Sequence, residues 1–202
     1  MLTADRADDY WNHNAAYHRW LVNIAARHGG DVLDVGCGEG LLAQRLAAVS
    51  RSVVGIDADP TAIQRAVKRL QSTDNASVRL ARFEAFDAEP RSVDLITFVA
   101  SLHHLPLRET LQRAREMLRP AGELAVVGLS ANKTVADWAW AALCTPVARA
   151  GSLLHRETDV GVAVADPRES LREIRTVTAD VLPGAAIRRG LYYRYRLLWR
   201  NG

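Results

Sequence analysis

The strongest chemical signal in this sequence is a set of three glycines at alternate positions: Gly36, Gly38 and Gly40. They follow the strand-like residues 32–35 and precede a helical pattern that begins at Leu41. A glycine turn between a strand and a helix lets the backbone approach a ligand where no side chain would fit. The spacing is G-x-G-x-G, whereas a dinucleotide turn reads G-x-G-x-x-G and holds a pyrophosphate. Two carboxylates, Asp34 and Glu39, make this turn acidic, which favours a cofactor that carries positive charge.

A second carboxylate position supports a nucleoside ligand. Asp57 ends the short apolar run 52–57 and lies 17 residues after Gly40. At the end of a second strand, a carboxylate can accept hydrogen bonds from both hydroxyls of a ribose. The next residues predict the start of a helix, with Asp59 as the N-cap and Pro60 at the first helical position.

The elements that must position these residues alternate between strand and helix through the first two thirds of the chain. The pattern predicts strands over 31–36, 52–57, 77–82, 93–99 and 123–128, and helices over 41–49, 60–72 and 107–118. Residues 119–122 contain Pro and Gly and predict a sharp break before the fifth strand. Residues 187–199 predict two more strands around Gly190. Such alternation is typical of a parallel sheet with helices on both faces.

At the turn and at Asp57 the chain resembles the class I S-adenosylmethionine-dependent methyltransferases. The resemblance covers residues 30–130 specifically and the final strands more loosely. It implies an α/β fold with a Rossmann-like sheet of seven strands, mostly parallel, with an antiparallel last strand beside the fifth. It also implies an enzyme that uses S-adenosyl-L-methionine as cofactor and releases S-adenosyl-L-homocysteine.

The same resemblance assigns the cofactor contacts. They are Asp34, Gly36, Cys37, Gly38 and Gly40 at the methionine end, Asp57 at the ribose, Ala58, Glu84 and Ala85 around the adenine, and Ala100 and Ser101 near the transferred methyl group. Asp87 competes with Glu84 for the adenine amino group, because the loop that leads to the fourth strand has no fixed length. Phe83 or Phe86 is a candidate for packing against the adenine.

Two adjacent histidines, His103 and His104, are the candidate catalytic residues. Their Leu-His-His context resembles small-molecule methyltransferases of ubiquinone and menaquinone biosynthesis. A neutral imidazole near pH 7 suits removal of a proton from an acceptor such as a phenol. The alternative is structural, in which the pair walls the cofactor pocket or caps backbone carbonyls. His18 is a similar candidate from the N-terminal segment.

Length and composition indicate one globular domain over residues 1–202, since 49% of the residues are hydrophobic and 24% are charged, and the resemblance implies that it is a methyltransferase domain. The two cysteines, Cys37 and Cys144, form neither a disulfide framework nor a metal-ligand pattern, so we expect no metal. We expect no leader segment, no stable membrane insertion and a cytoplasmic location. Residues 1–29, predicted to be helical, and the insertion 130–166 hold four of the five tryptophans, which predicts a cover over the substrate pocket.

The sequence therefore predicts a methyltransferase that moves a methyl group to a small-molecule acceptor by in-line displacement. Three alternatives stay open: a nicotinamide-dependent oxidoreductase, a non-catalytic binding module of this fold, and a methyltransferase for a lipid or quinone at a membrane surface. Residues 167–202 carry eight arginines against three acidic residues, but no module for nucleic acids is apparent, so we expect no nucleic-acid partner. The sequence assigns neither the acceptor atom nor the oligomeric state.

Overall fold

The computed structural model describes residues 14–133, 167–190 and 194–202. Its strands are β1 (Asp31–Val35), β2 (Ser52–Asp57), β3 (Ala76–Leu80), β4 (Val93–Val99), β5 (Leu118–Leu129), β6 (Ala186–Arg189) and β7 (Arg194–Arg200). Its helices are α1 (His18–His28), α2 (Leu41–Ala47), α3 (Pro60–Leu70), α4 (Leu107–Met117) and α5 (Leu171–Val181). Short 3₁₀ turns cover Ala15–Tyr17, Phe83–Ala85 and Leu102–His104.

The seven strands form one sheet in the order β3-β2-β1-β4-β5-β7-β6. The first five strands pair in parallel, and β7 lies antiparallel between β5 and β6. This confirms the predicted fold, including the antiparallel last strand beside the fifth. The strand order reverses between β1 and β4, so a crevice opens where these two strands end.

Two apolar layers hold the helices against the sheet. One contains Leu33, Ile96 and Leu124 of the central strands and packs under α4 and α5. The other contains Val32 and Leu95 and packs under α1 and α2. Adjacent strand residues point to opposite faces, so each central strand contributes to both layers. Both faces are covered, which leaves the ends of the strands as the places for a ligand.

Local sequence explains the start of α3. The Asp59 carboxylate accepts a hydrogen bond from the Thr61 N–H at 2.8 Å, and Pro60 occupies the first turn. The cap satisfies a backbone donor that has no partner inside the helix, and proline loses nothing at this position. The predicted cap is confirmed.

Two elements differ from the sequence prediction. Helix α5 was not predicted, although Ser170 and Glu173 form a capping box in which the Glu173 carboxylate accepts from the Ser170 N–H at 2.7 Å. The predicted break at 119–122 lies within β5 as a bulge, because Leu118 pairs with Val93 and Glu123 pairs with Leu95. Ala121 absorbs this irregularity with a φ of +64°.

The amino-terminal edge of the sheet carries a cluster of ion pairs, the amino-edge cluster: Asp31, Asp94, Arg51 and Arg119. Arg119 donates to Asp94 at 2.6 Å and to Asp31 at 3.0 Å, and Arg51 donates to Asp31 at 2.8 Å through Nε. The Asp31 N–H also donates to the Asp94 carboxylate at 2.8 Å. Arg51 holds the pKa of Asp31 well below its usual range.

The predicted cover lies only partly in the described residues. Residues 1–13 and 134–166, including Cys144, are outside them, so the cover stays a prediction. Within the described part, α1 packs against the sheet and the Asn14 side chain accepts hydrogen bonds from Arg194 at 2.9 and 3.0 Å. Among the described helices, none has the length and hydrophobicity required to cross a bilayer. The same residues contain no group of His, Cys, Asp and Glu that could bind a metal ion.

Candidate active site

The glycine turn closes the carboxyl end of β1 and folds onto β2. The N–H groups of Gly36 and Cys37 both donate to the Ile56 carbonyl, at 2.8 and 3.0 Å. The Gly40 N–H then donates to the Cys37 carbonyl at 3.0 Å, just before α2 begins. Cys37 is buried in this turn, and burial raises the pKa of its thiol. The backbone of the turn is thus fixed by two hydrogen bonds to β2 and one within the turn.

Glycine is required at two positions for different reasons. Gly36 has a φ of +73°, and a Cβ there would lie 2.4 Å from the Cβ of Ser101. Gly38 has a φ of +53°, and no other atom would lie within 4 Å of its Cβ. The first glycine permits close packing against the end of β4. The second leaves open space beside the backbone, as a ligand-binding turn needs.

Asp57 is joined directly to the turn. Its carboxylate accepts from the Gly38 N–H at 2.9 Å through Oδ2 and from the Asp59 N–H at 2.9 Å through Oδ1. The side chain is half-buried, whereas Ala58 beside it is exposed. An ionised carboxylate offers about four lone-pair positions, so two accepted bonds leave capacity for a pair of hydroxyl donors. This geometry fits a ribose at the end of β2.

Asp34 lies deeper, inside β1. It is 1% exposed, and its Oδ1 accepts from the Thr97 hydroxyl at 2.7 Å. Within the described residues its Oδ2 has no hydrogen-bond partner. Burial raises the pKa of Asp34 to about 7, against the opposing hydrogen bond from Thr97, and the charge of Asp57 adds to the rise. A buried carboxylate oxygen without a partner is costly, and a cation or an N–H donor would relieve that cost.

Ala100 and Ser101 follow β4, directly opposite the turn. Ala100 has a φ of +52°, and its N–H donates to the Val127 carbonyl at 2.8 Å. The Ser101 hydroxyl donates to the Val35 carbonyl at 2.6 Å. These bonds tie the ends of β1, β4 and β5 together. The structure thus packs Gly36 against Ser101 where β1 and β4 end.

The predicted adenine residues lie on the short turn that follows β3. Glu84, Ala85 and the competing Asp87 are all exposed. The Ala85 N–H donates to the Arg82 carbonyl at 3.1 Å, so it is already engaged within the turn. Phe83 is buried and meets the ring of Phe98 edge-on, with centroids 5.3 Å apart. Phe83 is thus a core residue of the fold.

The two histidines lie on the turn between β4 and α4. Their ring centroids are 4.0 Å apart, with His103 half-buried and His104 exposed. His18 is buried in α1, and its Nδ1 lies 2.9 Å from the Arg45 guanidinium of α2. A guanidinium can only donate, so this nitrogen of His18 is the acceptor.

The sequence predicted that Glu39 makes the turn acidic, but in the structure its charge is paired with an arginine. Its carboxylate pairs with Arg65 at 2.5 Å, and its carbonyl accepts from the Arg69 Nε at 3.0 Å. Both arginines belong to α3, so Glu39 fastens the turn to that helix. The other two carboxylates near the turn are the half-buried Asp57 and the buried Asp34.

Two supporting residues escaped the sequence prediction. Thr97 lies opposite Asp34 in the register of β1 and β4. Alignment of β1 with β4 as neighbouring parallel strands could have indicated Thr97 as a partner of Asp34. Arg113 of α4 donates to the carbonyls of Phe83 and Phe86. In the sequence it resembles any polar residue of an amphipathic helix, so no signal marked it.

The residues present fit a nucleoside cofactor with a positively charged end. The turn offers open space at Gly38, the Asp57 carboxylate retains acceptor capacity, and Asp34 Oδ2 is buried without a partner. A sheet of this order with such a site defines a Rossmann-like protein with a nucleoside-binding crevice at the carboxyl ends of its strands.

Comparisons with known proteins specify the class. A family described as a methyltransferase domain matches residues 32–122. The chain is 33% identical over 211 residues to an uncharacterized methyltransferase of Mycobacterium tuberculosis. This match covers 96% of this chain and 98% of that relative. It is 34% identical over 116 residues to the ubiquinone biosynthesis O-methyltransferase of Cupriavidus pinatubonensis, but this match covers 56% of this chain and 47% of that enzyme.

Solved structures share the fold. The N-methyltransferase NodS of Bradyrhizobium japonicum, in complex with S-adenosyl-L-homocysteine, has a TM-score of 0.63 and 22% identity, covering 97% of this chain and 90% of NodS. A SAM-dependent methyltransferase of Aquifex aeolicus has a TM-score of 0.64 and 16% identity, covering 91% of this chain and 88% of that one. The chain belongs to the class I S-adenosylmethionine-dependent methyltransferases. The matches do not favour the nicotinamide enzyme or the non-catalytic module.

Proposed function

We propose that this methyltransferase acts on a small-molecule acceptor and binds its cofactor against the glycine turn and Asp57. The observation that carries the proposal is the hydrogen bond from Gly38 to Asp57, which couples the turn to a carboxylate with spare acceptor capacity. In this proposal the methionine part of the cofactor contacts Asp34, Cys37 and the three glycines. Ala58, Glu84 and Ala85 surround the adenine, and Ala100 and Ser101 lie near the methyl group.

The chemistry requires mainly positioning. S-adenosylmethionine supplies a methyl group on a positively charged sulfur, which is already a good leaving group. The protein therefore has to hold the acceptor atom in line with that methyl group and at contact distance, which converts a bimolecular reaction into an intramolecular one. The proposed place for this alignment is the crevice beyond the ends of β1 and β4, where Gly36 packs against Ser101.

His103 and His104 are the proposed general bases. One of them would remove the proton from a substrate that must be deprotonated before it receives the methyl group. Their turn follows β4, on the same edge of the sheet as Ser101. A positioned general base contributes about 100-fold or more to the rate. Replacing each histidine with Gln should therefore lower kcat at pH 7 by about that factor for a phenolic acceptor. Affinity for S-adenosylhomocysteine should not change. Equal losses in kcat and in that affinity would assign the pair to the pocket wall instead.

Calorimetric titration with S-adenosylhomocysteine tests the cofactor site. Asp57→Ala removes the carboxylate that would accept the ribose hydroxyls, and we expect binding to weaken on the order of 100-fold. Asp59→Ala is the matched control, since it removes a carboxylate two residues away that only caps α3. It should lower the free energy of unfolding by about 1 kcal/mol and leave affinity unchanged. Wild-type affinity in Asp57→Ala would reject the proposed site.

A quinone-like or lipid acceptor at a membrane surface is the second candidate. The partial match to a ubiquinone biosynthesis O-methyltransferase favours it. Cosedimentation with vesicles of phosphatidylcholine and phosphatidylglycerol tests it. Association that depends on the anionic lipid would support this class, and recovery of all the protein in the supernatant would count against it.

A further inference from the structure

Arg113 of α4 connects that helix to the turn that follows β3. Its Nε donates to the Phe83 carbonyl at 3.1 Å, and its Nη2 donates to the Phe86 carbonyl. The guanidinium is planar and presents its donors in a fixed fork, so two bonds from one side chain define an orientation as well as a position. The two carbonyls that it holds bracket Glu84 and Ala85.

The arginine itself is held by packing. Its guanidinium carbon lies 5.8 Å from the centroid of the Phe83 ring, and Phe83 is 3% exposed. Phe83 in turn meets Phe98 of β4 edge-on. The chain of contacts therefore runs from a central strand through a buried ring to the guanidinium. An exposed turn is anchored in this way to the rigid part of the fold.

We propose that Arg113 is a positioning residue that gives this enzyme its selectivity for the adenine base of its cofactor. The inference rests on the proposed function, in which Glu84 and Ala85 contact the adenine. With both flanking carbonyls fixed, the Glu84 carboxylate is held where it accepts from the adenine amino group. Without Arg113 the turn samples other conformations, and the carboxylate no longer distinguishes an amino group from a carbonyl oxygen.

The same helix offers a matched control. Arg115 lies two residues further along α4, and its Nη1 donates to the Val181 carbonyl at the end of α5, at 3.1 Å. It is also an arginine that binds a backbone carbonyl, but on another element. Arg113→Met and Arg115→Met therefore remove the same type of contact, and only the first affects the turn of Glu84.

The test compares calorimetric dissociation constants for S-adenosylhomocysteine and S-inosylhomocysteine, in which the amino group of the base is replaced by a carbonyl oxygen. Wild type and Arg115→Met should prefer the adenine compound on the order of 100-fold, because a carboxylate rejects the oxygen. In Arg113→Met the preference should fall below about ten-fold, mainly through weaker binding of the adenine compound. Thermal unfolding of both variants verifies that each is folded.

Three results separate the possible failures. A wild-type protein that binds neither compound would overturn the proposed function and this inference together. A wild type that binds both compounds equally, or an Arg113→Met variant that retains the full preference, would overturn the inference and leave the cofactor site intact. If Arg113→Met does not fold, Arg113→Lys replaces it. A single ammonium cannot hold both carbonyls in the same geometry, so the preference should again fall.

Discussion

The two edges of the sheet hold aspartates in opposite electrostatic environments, and β1 carries one of each kind. At the amino edge, Asp31 pairs with Arg51 and Arg119, and Asp94 pairs with Arg119. At the carboxyl edge, Asp34 is buried with an oxygen that lacks a partner. No ion pair among the described residues involves Asp34 or Asp57. An ion pair compensates the burial of a carboxylate, whereas a buried carboxylate without a partner costs stability and retains binding capacity. The difference separates the amino edge, which we assign to stability, from the carboxyl edge, where we propose that the cofactor binds.

The largest expected effect concerns the glycine turn at the carboxyl edge. Gly36→Ala places a methyl group against Ser101 in a left-handed conformation, and we expect it to lower the free energy of unfolding by about 3 kcal/mol. Gly38→Ala has the conformational cost without the clash, so about 1 kcal/mol is expected. Denaturant unfolding measures both values.

Affinity for S-adenosylhomocysteine sharpens this prediction. We expect both glycine variants to lose binding, since the added methyl group of Gly38→Ala occupies the open space beside the turn. A Gly38→Ala variant with wild-type affinity would mean that the cofactor does not approach this part of the backbone.

An intermediate effect is expected at the amino edge. Arg119→Met removes bonds to both aspartates of the amino-edge cluster and leaves two half-buried carboxylates close together. The free energy of unfolding should fall by about 2 kcal/mol at pH 7, because the carboxylates lose a cation shared between them. Urea denaturation measures the change. Cofactor affinity should stay within a factor of about two of the wild-type value, and a large loss of affinity would break the separation of the two edges.

The pH dependence should have opposite signs at the two edges. Because the pKa of Asp31 is lowered in the folded state, its ion pairs add to the free energy of unfolding above about pH 4, the pKa of an aspartate in the unfolded chain. This stabilisation is lost as the pH falls further. The pKa of Asp34, about 7, exceeds its unfolded value, so the folded state retains a proton that the unfolded state releases. Between about pH 4 and 7 this group therefore lowers the free energy of unfolding as pH rises, by about 1 kcal/mol per pH unit.

Unfolding of Asp34→Asn at pH 5, 6 and 7 measures this slope by difference from wild type. In the variant, the free energy of unfolding should not show the decrease with rising pH that Asp34 causes in the wild type. Parallel curves for the two proteins would show that Asp34 is ionised throughout this range, and would contradict its environment as described.

Sequence patterns predicted the parts of this molecule that depend on local order. The bounds of β2 and β4 and the cap of α3 follow from apolar runs and from Asp59-Pro60. The position of the antiparallel last strand beside the fifth followed from the resemblance and not from periodicity. The capping box at Ser170 would have revealed α5, since its signal is local.

The partners of charged groups were not predictable in the same way. Arg119 lies 88 residues from Asp31 in the chain, and only the packing of β5 near β1 brings them together. Glu39 illustrates the same limit, because its partner Arg65 comes from a helix that folds back over the turn. The sequence thus identified the candidate carboxylates, whereas only the fold shows which of them are paired with arginines.

The most direct test of the two edges compares Asp31→Asn with Asp34→Asn, two substitutions of the same kind at the two ends of one strand. Calorimetric titration with S-adenosylhomocysteine at pH 8 is the measurement. We predict that Asp34→Asn weakens binding at least about ten-fold, because a charged acceptor near the positive end of the ligand is lost. Asp31→Asn should bind like wild type. Equal affinities of the two variants, or a greater loss in Asp31→Asn, would contradict the assignment of the carboxyl edge to binding and the amino edge to stability.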